Sequence, residues 1–251
     1  MAIRVAVSGA GGKLASPIVS AIVASDDLEL STLYNPNRAG AEMLGHTVVG
    51  SAADVSGDVV IETAHPSHVF ENLGVWKAAG MAAVVGTSGF TEERLAGLSD
   101  LWGTDGPPCL VVPNFSIGAV LMMEFAASAA RHFEAVEIIE RHHSTKPDAP
   151  SGTALATAQG VSAGGGSSAT ASEELVAGAR GADVGRVRVH SLRLPGVISH
   201  QEVAMSNAGE LFSLEHMSTS YDSFAAGALL AVRKVRDLEP GVHLGLAALL
   251  E

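Results

Sequence analysis

The sequence predicts an α/β protein with a doubly wound parallel sheet in its N-terminal part and a second α+β domain built on a mixed sheet. Up to about residue 115, short β-branched runs alternate with helical patterns, which is the order of repeated βαβ units. Three of these runs, at 59–61, 83–85 and 110–112, are apolar throughout, as in strands buried on both faces of a parallel sheet. Later strand patterns follow one another with short breaks, which favours antiparallel or mixed pairing.

Each element is predicted from the spacing of its apolar residues. The first part contains strand Ile3–Ser8, helix Gly12–Ala24, strands Leu28–Tyr34 and Val59–Glu62, helix His68–Ala79, strand Ala83–Val85, helix Thr91–Trp102 and strand Cys109–Val112. The second part contains helix Ile117–His132, strand Val136–His143, helix Ser151–Val161 and strands Val187–Leu194, Val197–Ser206 and Glu210–Met217. Helix Ser223–Val235 and the tail Val242–Leu250 are expected to return to the first part. We therefore expect one domain at 1–115, completed by about 225–251, and another at 116–224.

Composition excludes several classes of protein. Of the 251 residues, 47% are hydrophobic and 17% are charged, which excludes a disordered chain and provides a proper core. The net charge of −12 disfavours nucleic acids and anionic membranes as partners. The single cysteine, the lack of a basic-then-apolar leader and the lack of an apolar stretch of ~20 residues predict a cytoplasmic protein with no membrane partner.

Strand Ile3–Ser8 leads directly into a glycine-rich turn, GAGGKLA at residues 9–15. Gly9 permits a tight turn, Gly12 lets the backbone approach a pyrophosphate, and the helix that follows offers free N–H groups and a positive dipole end. An ordinary glycine-rich βα turn is the alternative interpretation. The position of the turn in the first βαβ unit favours dinucleotide binding, and thus a Rossmann-like domain.

The end of the second strand bears on which dinucleotide binds. It reads Tyr34-Asn35-Pro36-Asn37-Arg38, without the acidic residue that would hold the ribose 2′-hydroxyl of NAD. Lys13 and Arg38 can instead meet a 2′-phosphate, so the sequence favours NADPH over NADH. Two solvated surface cations are the alternative.

The densest polar segment is ERHHSTKPDAPSGTA at residues 140–154. It starts at a strand end and finishes where Ser151 can cap a helix, so that hydroxyls and free N–H groups surround one point, which suits a carboxylate. Lys146 adds a cation, and two adjacent histidines can exchange protons near neutral pH. A capped helix after a polar loop is the plain alternative. No metal site is predicted, because adjacent histidines on a strand point to opposite faces and no further ligand spacing accompanies them.

The motif HHxxKxDAPSGTA at 142–154 closely resembles the signature of the 4-hydroxy-tetrahydrodipicolinate reductase family of bacterial lysine biosynthesis. The similarity covers almost the whole chain, through GAGGK (9–13), VVGTSGF (84–90), VPNFSIGAVL (112–121), ARGADVG (179–185) and SFAAGALLAVR (223–233). The resemblance implies NAD(P)H-dependent reduction of a cyclic dicarboxylate to tetrahydrodipicolinate, by a homotetramer. It also implies that the first domain binds the dinucleotide and that the second binds substrate and forms the tetramer.

Site residues follow from the resemblance by position. His142 is the implied proton donor and Lys146 a second one, and the substrate carboxylates are implied to contact His143, Ser151, Gly152 and Thr153. The expected cofactor contacts, with Asn35 and Arg38 added from the end of the second strand, are Gly9, Ala10, Gly11, Gly12, Lys13, Leu14, Gly86, Thr87, Ser88, Val112, Pro113, Asn114 and Phe115.

The chain departs from the family pattern near the expected cofactor site. Thr63 replaces an aromatic residue, Asn35 an acidic one and Tyr221 an arginine, and the segment 206–210 is altered. These departures support a second hypothesis, a diverged paralogue that reduces a related cyclic imine. A catalytically inactive metabolite-binding protein is a third hypothesis, but it predicts damage at His142 or Lys146, and both residues are present.

Overall fold

The computed structural model describes residues 1–168 and 172–250. They form two compact units: unit 1 contains Met1–Ile117 and the residues from Tyr221 onward, and unit 2 contains Gly118–Ser220. None of the helices in these described ranges is both long enough and apolar enough to cross a bilayer.

The regular elements alternate in the first part of the chain and then change order. They are β1 (Ile3–Ser8), α1 (Ala15–Val23), β2 (Leu28–Tyr34), β3 (Glu42–Met43), β4 (His46–Val49), β5 (Val59–Glu62), α2 (Val69–Ala78), β6 (Ala82–Val85), α3 (Glu92–Trp102), β7 (Pro108–Val111), α4 (Ile117–Ala129), β8 (Ala135–His142), α5 (Gly152–Ala163), β9 (Ala182–Val184), β10 (Val187–Arg193), β11 (Ser199–Asn207), β12 (Glu210–Ser218), α6 (Ala225–Lys234) and β13 (Gly241–Leu244).

Unit 1 is built on an eight-stranded sheet in the order β13-β7-β6-β5-β1-β2-β4-β3, in which only β3 runs antiparallel to its neighbour. Helices α1 and α6 pack together, as do α2 and α3, and β5 and β6 are buried at every position. The α/β class and the doubly wound parallel sheet are therefore confirmed. The strand order reverses between β1 and β5, and in such sheets a ligand crevice opens at this point, beyond the carboxyl ends of the strands.

Unit 2 contains a five-stranded sheet in the order β12-β11-β8-β10-β9. Strands β8 and β10 are parallel and the other pairs are antiparallel, so the predicted mixed sheet is confirmed. One face of the sheet carries Val136, Ile138 and Val203, and small residues of α4 and α5 pack onto it.

This packed face becomes polar toward the end of β8. Glu140 and His142 continue the two-residue spacing of Val136 and Ile138, so they lie on the same face. Their cross-strand neighbours are Gln201 and Ser191 beside Glu140, and Ser199 and Arg193 beside His142. The strand ends at His142, one residue earlier than predicted, so His143 lies in the turn that follows.

Candidate functional site

The glycine-rich turn of unit 1 is held between the carboxyl ends of three strands. Gly9 and Gly11 have φ angles of +85° and +79°, which favour glycine. The N–H groups of Gly9 and Ala10 donate to the Tyr34 carbonyl, at 2.9 and 3.1 Å. A Cβ atom at Gly9 would lie 2.6 Å from the Thr63 hydroxyl oxygen, so no side chain fits there. Helix α1 begins at Ala15 rather than at Gly12, because the turn occupies the intervening residues.

Asn35 and Arg38 lie against this turn. The Asn35 amide donates to the Ala10 carbonyl at 2.8 Å, and its oxygen accepts from the Asn37 N–H at 3.0 Å. The Arg38 guanidinium comes within 2.9 Å of the position that a Cβ atom would take at Gly11. Arg38 also lines a cavity of about 230 Å³ together with Glu42. Lys13 is exposed.

A larger cavity, of about 390 Å³, opens where β1, β2 and β5 end. Its lining residues include Gly9 of the turn and Tyr34, Asn35, Thr63, His65, His68, Glu71 and Asn72. A cavity at the sheet's reversal point, beside a turn of closely approaching glycines, fits a dinucleotide.

A second group of predicted cofactor residues surrounds the ends of β6 and β7. A Cβ atom at Gly86 would lie 2.3 Å from Cε2 of the buried Phe115 ring and 3.3 Å from Cδ2 of Leu14. The Thr87 hydroxyl donates to the Ala64 carbonyl at 2.8 Å, so it braces the loop after β5. The remaining members are the buried Val112, the half-buried Asn114 and the exposed Ser88 and Pro113.

A buried carboxyl group, Glu62, supports the loop after β5. It accepts hydrogen bonds from the Trp76 indole at 2.8 Å, the Ala64 N–H at 2.8 Å, the Ser8 hydroxyl at 3.0 Å and the Asn72 amide at 3.1 Å. Burial raises the pKa of Glu62, and these four donors oppose the rise. Glu62 thereby joins β1, β5 and α2, and two of its donors, Ala64 and Asn72, belong to residues that line the larger cavity.

In unit 2, His142 is bonded to a second buried carboxylate. Its Nδ1 atom lies 2.5 Å from Oε2 of Glu140, a residue with no exposed surface. Arg193 donates to both Glu140 oxygens, each at 3.0 Å. Burial acts to raise the pKa of Glu140, but hydrogen bonds from His142, Arg193 and Ser191 lower it to about 2. Glu140 is therefore ionised at neutral pH.

The first turn of α5 lies beside this group. The Ser151 N–H donates to Oε1 of Glu140 at 3.3 Å, and the Ser151 hydroxyl caps the helix by accepting from the Ala154 N–H at 3.2 Å. Gly152 is exposed, and a Cβ atom there would meet no other atom within 4 Å. Thr153 follows in the same turn, so the structure brings His142, Ser151, Gly152 and Thr153 to one end of the sheet.

His143 and Lys146 occupy the turn between β8 and α5. The Lys146 N–H donates to the His143 carbonyl at 3.1 Å, and the His143 ring lies 2.8 Å from the Thr145 hydroxyl. The Lys146 ammonium pairs with Asp148 at 2.8 Å. Burial acts to raise the pKa of Asp148, but the hydrogen bond from Lys146, a backbone hydrogen bond and the positive charges of Lys146 and Arg193 together lower it. The Lys146 ammonium is thus paired with Asp148 rather than with His142.

Two residues of this group, Glu140 and Arg193, were not predicted as site residues. The sequence does contain a signal for Glu140, because this residue continues the two-residue spacing of the apolar Val136 and Ile138, and an acidic residue at such a core position needs a partner. Arg193 carries no comparable signal, since it meets Glu140 only through the pairing of β8 with β10. Within residues 1–168 and 172–250, no three side chains of His, Cys, Asp or Glu come together as a metal site requires.

Comparison with known proteins identifies the family. Residues 3–115 match the family model described as "Dihydrodipicolinate reductase, N-terminus". Residues 118–250 match the family model described as "Dihydrodipicolinate reductase, C-terminus". The chain belongs to the dihydrodipicolinate reductase family. It is 45% identical over 253 residues to the 4-hydroxy-tetrahydrodipicolinate reductase of Mycobacterium sp. strain JLS, covering 99% of each chain. The enzyme of the same name from Streptomyces griseus is 44% identical over 257 residues, covering 99% of this chain and 98% of the relative.

A solved structure agrees with this family. A dipicolinate-bound dihydrodipicolinate reductase from Paenisporosarcina sp. TG-14 superposes with a TM-score of 0.84 at 34% identity, covering 99% of each chain. The predicted family is therefore confirmed, and with it the class of NAD(P)H-dependent oxidoreductase. An amine dehydrogenase from Mycobacterium smegmatis, at 13% identity and a TM-score of 0.65, shares the fold alone.

Proposed function

We propose that this protein reduces 4-hydroxy-tetrahydrodipicolinate to tetrahydrodipicolinate in the diaminopimelate and lysine pathway, with a hydride from NAD(P)H and a proton from His142. The observation that carries the proposal is the bond between His142 and a buried, ionised Glu140 beside the capped first turn of α5. In this arrangement His142 would be the proton donor, and the hydroxyl and N–H groups of the first turn of α5 beside it would bind an anion. The match to reductases of this name along the whole chain supports the same substrate.

Unit 1 is the proposed dinucleotide-binding domain. The backbone of Gly9–Leu14 would hold the pyrophosphate, the ends of β1, β2 and β5 would hold the adenosine, and the segments 86–88 and 112–115 would hold the nicotinamide. The nicotinamide, when bound, supplies the hydride. Arg38 beside Gly11 supports NADPH, because its guanidinium can pair with a 2′-phosphate. Glu42 in the same cavity supports the alternative, NADH, because a carboxylate can accept from a 2′-hydroxyl.

Unit 2 is the proposed substrate domain. Ser151, Gly152 and Thr153 would bind a substrate carboxylate through hydroxyl and N–H groups at the positive end of α5. His143 would contact a carboxylate as well, and Lys146 would act as a cation and second proton donor. This local positive potential is needed, because the chain as a whole carries a net charge of −12 and repels a dianion. The homotetramer and the cytoplasmic location stay predictions.

The first test is steady-state oxidation of NADPH and NADH, followed at the nicotinamide absorbance, with 4-hydroxy-tetrahydrodipicolinate generated in situ. Turnover is the expected result, with the higher kcat/KM for NADPH. Cofactor binding without turnover would overturn the assignment and favour the diverged paralogue, which would then be assayed with related cyclic imines. Turnover with the higher kcat/KM for NADH would overturn only the cofactor preference.

A further inference from the structure

One buried carboxylate connects the parts of the unit 2 site. Besides the hydrogen bond from Ser191, each Glu140 oxygen accepts one bond from Arg193 and one from a site group: Oε2 from Nδ1 of His142 at 2.5 Å, and Oε1 from the Ser151 N–H at 3.3 Å. Arg193 also donates to the Asp148 carbonyl at 2.5 Å. A single ion pair therefore touches the end of β8, the turn that follows it and the start of α5.

The ionised carboxylate determines which His142 nitrogen carries a proton. A carboxylate can only accept, so Nδ1 must be the donor, and Nε2 is the atom left for proton exchange. When the imidazolium gives up its Nε2 proton, the neutral ring that remains carries its proton on Nδ1. Glu140 stabilises this same tautomer, so the ring has no need to turn before or after the transfer.

A hydrogen-bond chain from the sheet holds the rest of the turn. The buried Gln201, the cross-strand neighbour of Glu140, donates from its amide to the Thr157 hydroxyl at 2.7 Å. The Thr157 hydroxyl donates in turn to the Thr153 carbonyl at 2.8 Å. Glu140 and Gln201 thus fix the first turn of α5 from adjacent strands.

We propose that Glu140, held by Arg193, is a positioning residue with two effects. It keeps His142 in the Nδ1–H tautomer, and it fixes the position of the His142 ring relative to the first turn of α5. The inference deepens the proposed function, since it states how the proton donor and the carboxylate-binding groups keep one geometry. Glu140 acts through His142 and Ser151 and is not itself assigned a contact with substrate.

The test is nitrogen-15 NMR of the histidine rings at a pH at which they are neutral, with His142 assigned by its loss in His142→Asn. We expect the wild-type His142 ring to carry its proton on Nδ1. Glu140→Gln replaces one of the two accepting oxygens by an amide N–H donor, although His142 Nδ1–H, Arg193 and the Ser151 N–H all need an acceptor there. An amide N–H that faces Nδ1 favours an unprotonated Nδ1, so the ring should shift toward the Nε2–H form. In the same variant kcat should fall ~10²–10⁴-fold, the range for loss of general acid–base catalysis, with a smaller change in KM.

The chain offers a matched control. Glu137 lies on the same strand, on the opposite face, and binds Arg180 and the His190 ring in a similar Glu–Arg–His group. Glu137→Gln should leave the His142 tautomer and kcat unchanged, whereas an equal fall in kcat would indicate a general structural effect and overturn the proposal. If the wild-type His142 ring carried its proton on Nε2, the proposal would also be overturned. This measurement uses the wild-type protein alone, so it does not depend on whether a variant folds. An Nδ1–H ring in a protein that does not turn over the substrate would instead refute the proposed function and leave the positioning role intact.

Discussion

The Glu140 carboxylate makes the stability of unit 2 depend on pH, with a sign that follows from its contacts. Burial opposes ionisation, but donors from His142, Arg193 and Ser191 bring the pKa in the folded protein to about 2, against 4.5 for an ordinary glutamate. Because the folded-state pKa is lowered, the stabilisation is present above pH 4.5 and is lost as the pH falls toward 2.

The size of this effect follows from the two pKa values. A tenfold change in proton affinity corresponds to about 1.4 kcal/mol, so the fall from 4.5 to about 2 gives about 3 kcal/mol of unfolding free energy at neutral pH. About 2 kcal/mol of this should disappear between pH 5.5 and pH 3, where the carboxyl of the unfolded chain takes up its proton first. In Glu140→Gln this contribution is absent at both pH values.

The measurement is urea unfolding of wild type and Glu140→Gln at pH 5.5 and at pH 3, followed by far-UV circular dichroism. The other carboxyl groups contribute equally to the pH dependence of the unfolding free energy in both proteins, so their contributions cancel in the difference. Trp76 and Trp102 both lie in unit 1, so tryptophan fluorescence follows that unit separately. A difference between the proteins that stays constant with pH to within about 0.5 kcal/mol would refute the argument.

Three further predictions concern catalysis, cofactor preference and packing. His142→Ala should lower kcat by ~10²–10⁴ with a smaller change in KM, and near-normal turnover would show that another group supplies the proton. Arg38→Ala should raise KM for NADPH by ~10-fold, the loss of one charge-assisted hydrogen bond, and leave KM for NADH nearly unchanged; an equal change for both cofactors would contradict a contact with the 2′-phosphate. Gly86→Ala forces a methyl group against the Phe115 ring, so it should destabilise unit 1 by ~1–3 kcal/mol in fluorescence-detected unfolding. The control is Gly74→Ala in α2, where an added Cβ atom would meet nothing beyond its own helix backbone and chain neighbours within 4 Å, so alanine should stabilise by about 0.5–1 kcal/mol. A similar loss in both variants would rule out the packing explanation.

The sequence predicted the fold well wherever an element is long enough to show a period. The five strands and three helices predicted before residue 115 are all present, because buried runs such as Val59–Glu62 admit few other arrangements. The short strands β3 and β4 were not predicted, since the two residues of β3 carry no periodicity. They form the outer edge of the sheet and bring Glu42 toward Arg38, which is why the cofactor preference could not be read from Asn35 and Arg38 alone.

The candidate site was predictable where its residues are adjacent in the chain. The turn at 9–15 and the segment 142–153 each contain their chemistry in one stretch. Arg193 escaped prediction because it lies 53 residues from Glu140 and meets it through strand register, which a single sequence does not display. The four donors around Glu62 are dispersed in the same way over β1, the loop after β5 and α2.

The last strand has a consequence for how the protein is made. Strand β13 pairs with β7, so unit 1 receives its final strand only after all of unit 2 has been synthesised. Until Gly241–Leu244 emerges from the ribosome, the apolar edge of Cys109–Val111 has no hydrogen-bonding partner on that side, and open strand edges of this kind recruit other chains. Unit 2, whose residues are contiguous, can complete its sheet during this interval. Chains that stall or are cleaved shortly before residue 241 should therefore aggregate through β7 and depend on chaperones, even though both proposed binding sites have already been translated.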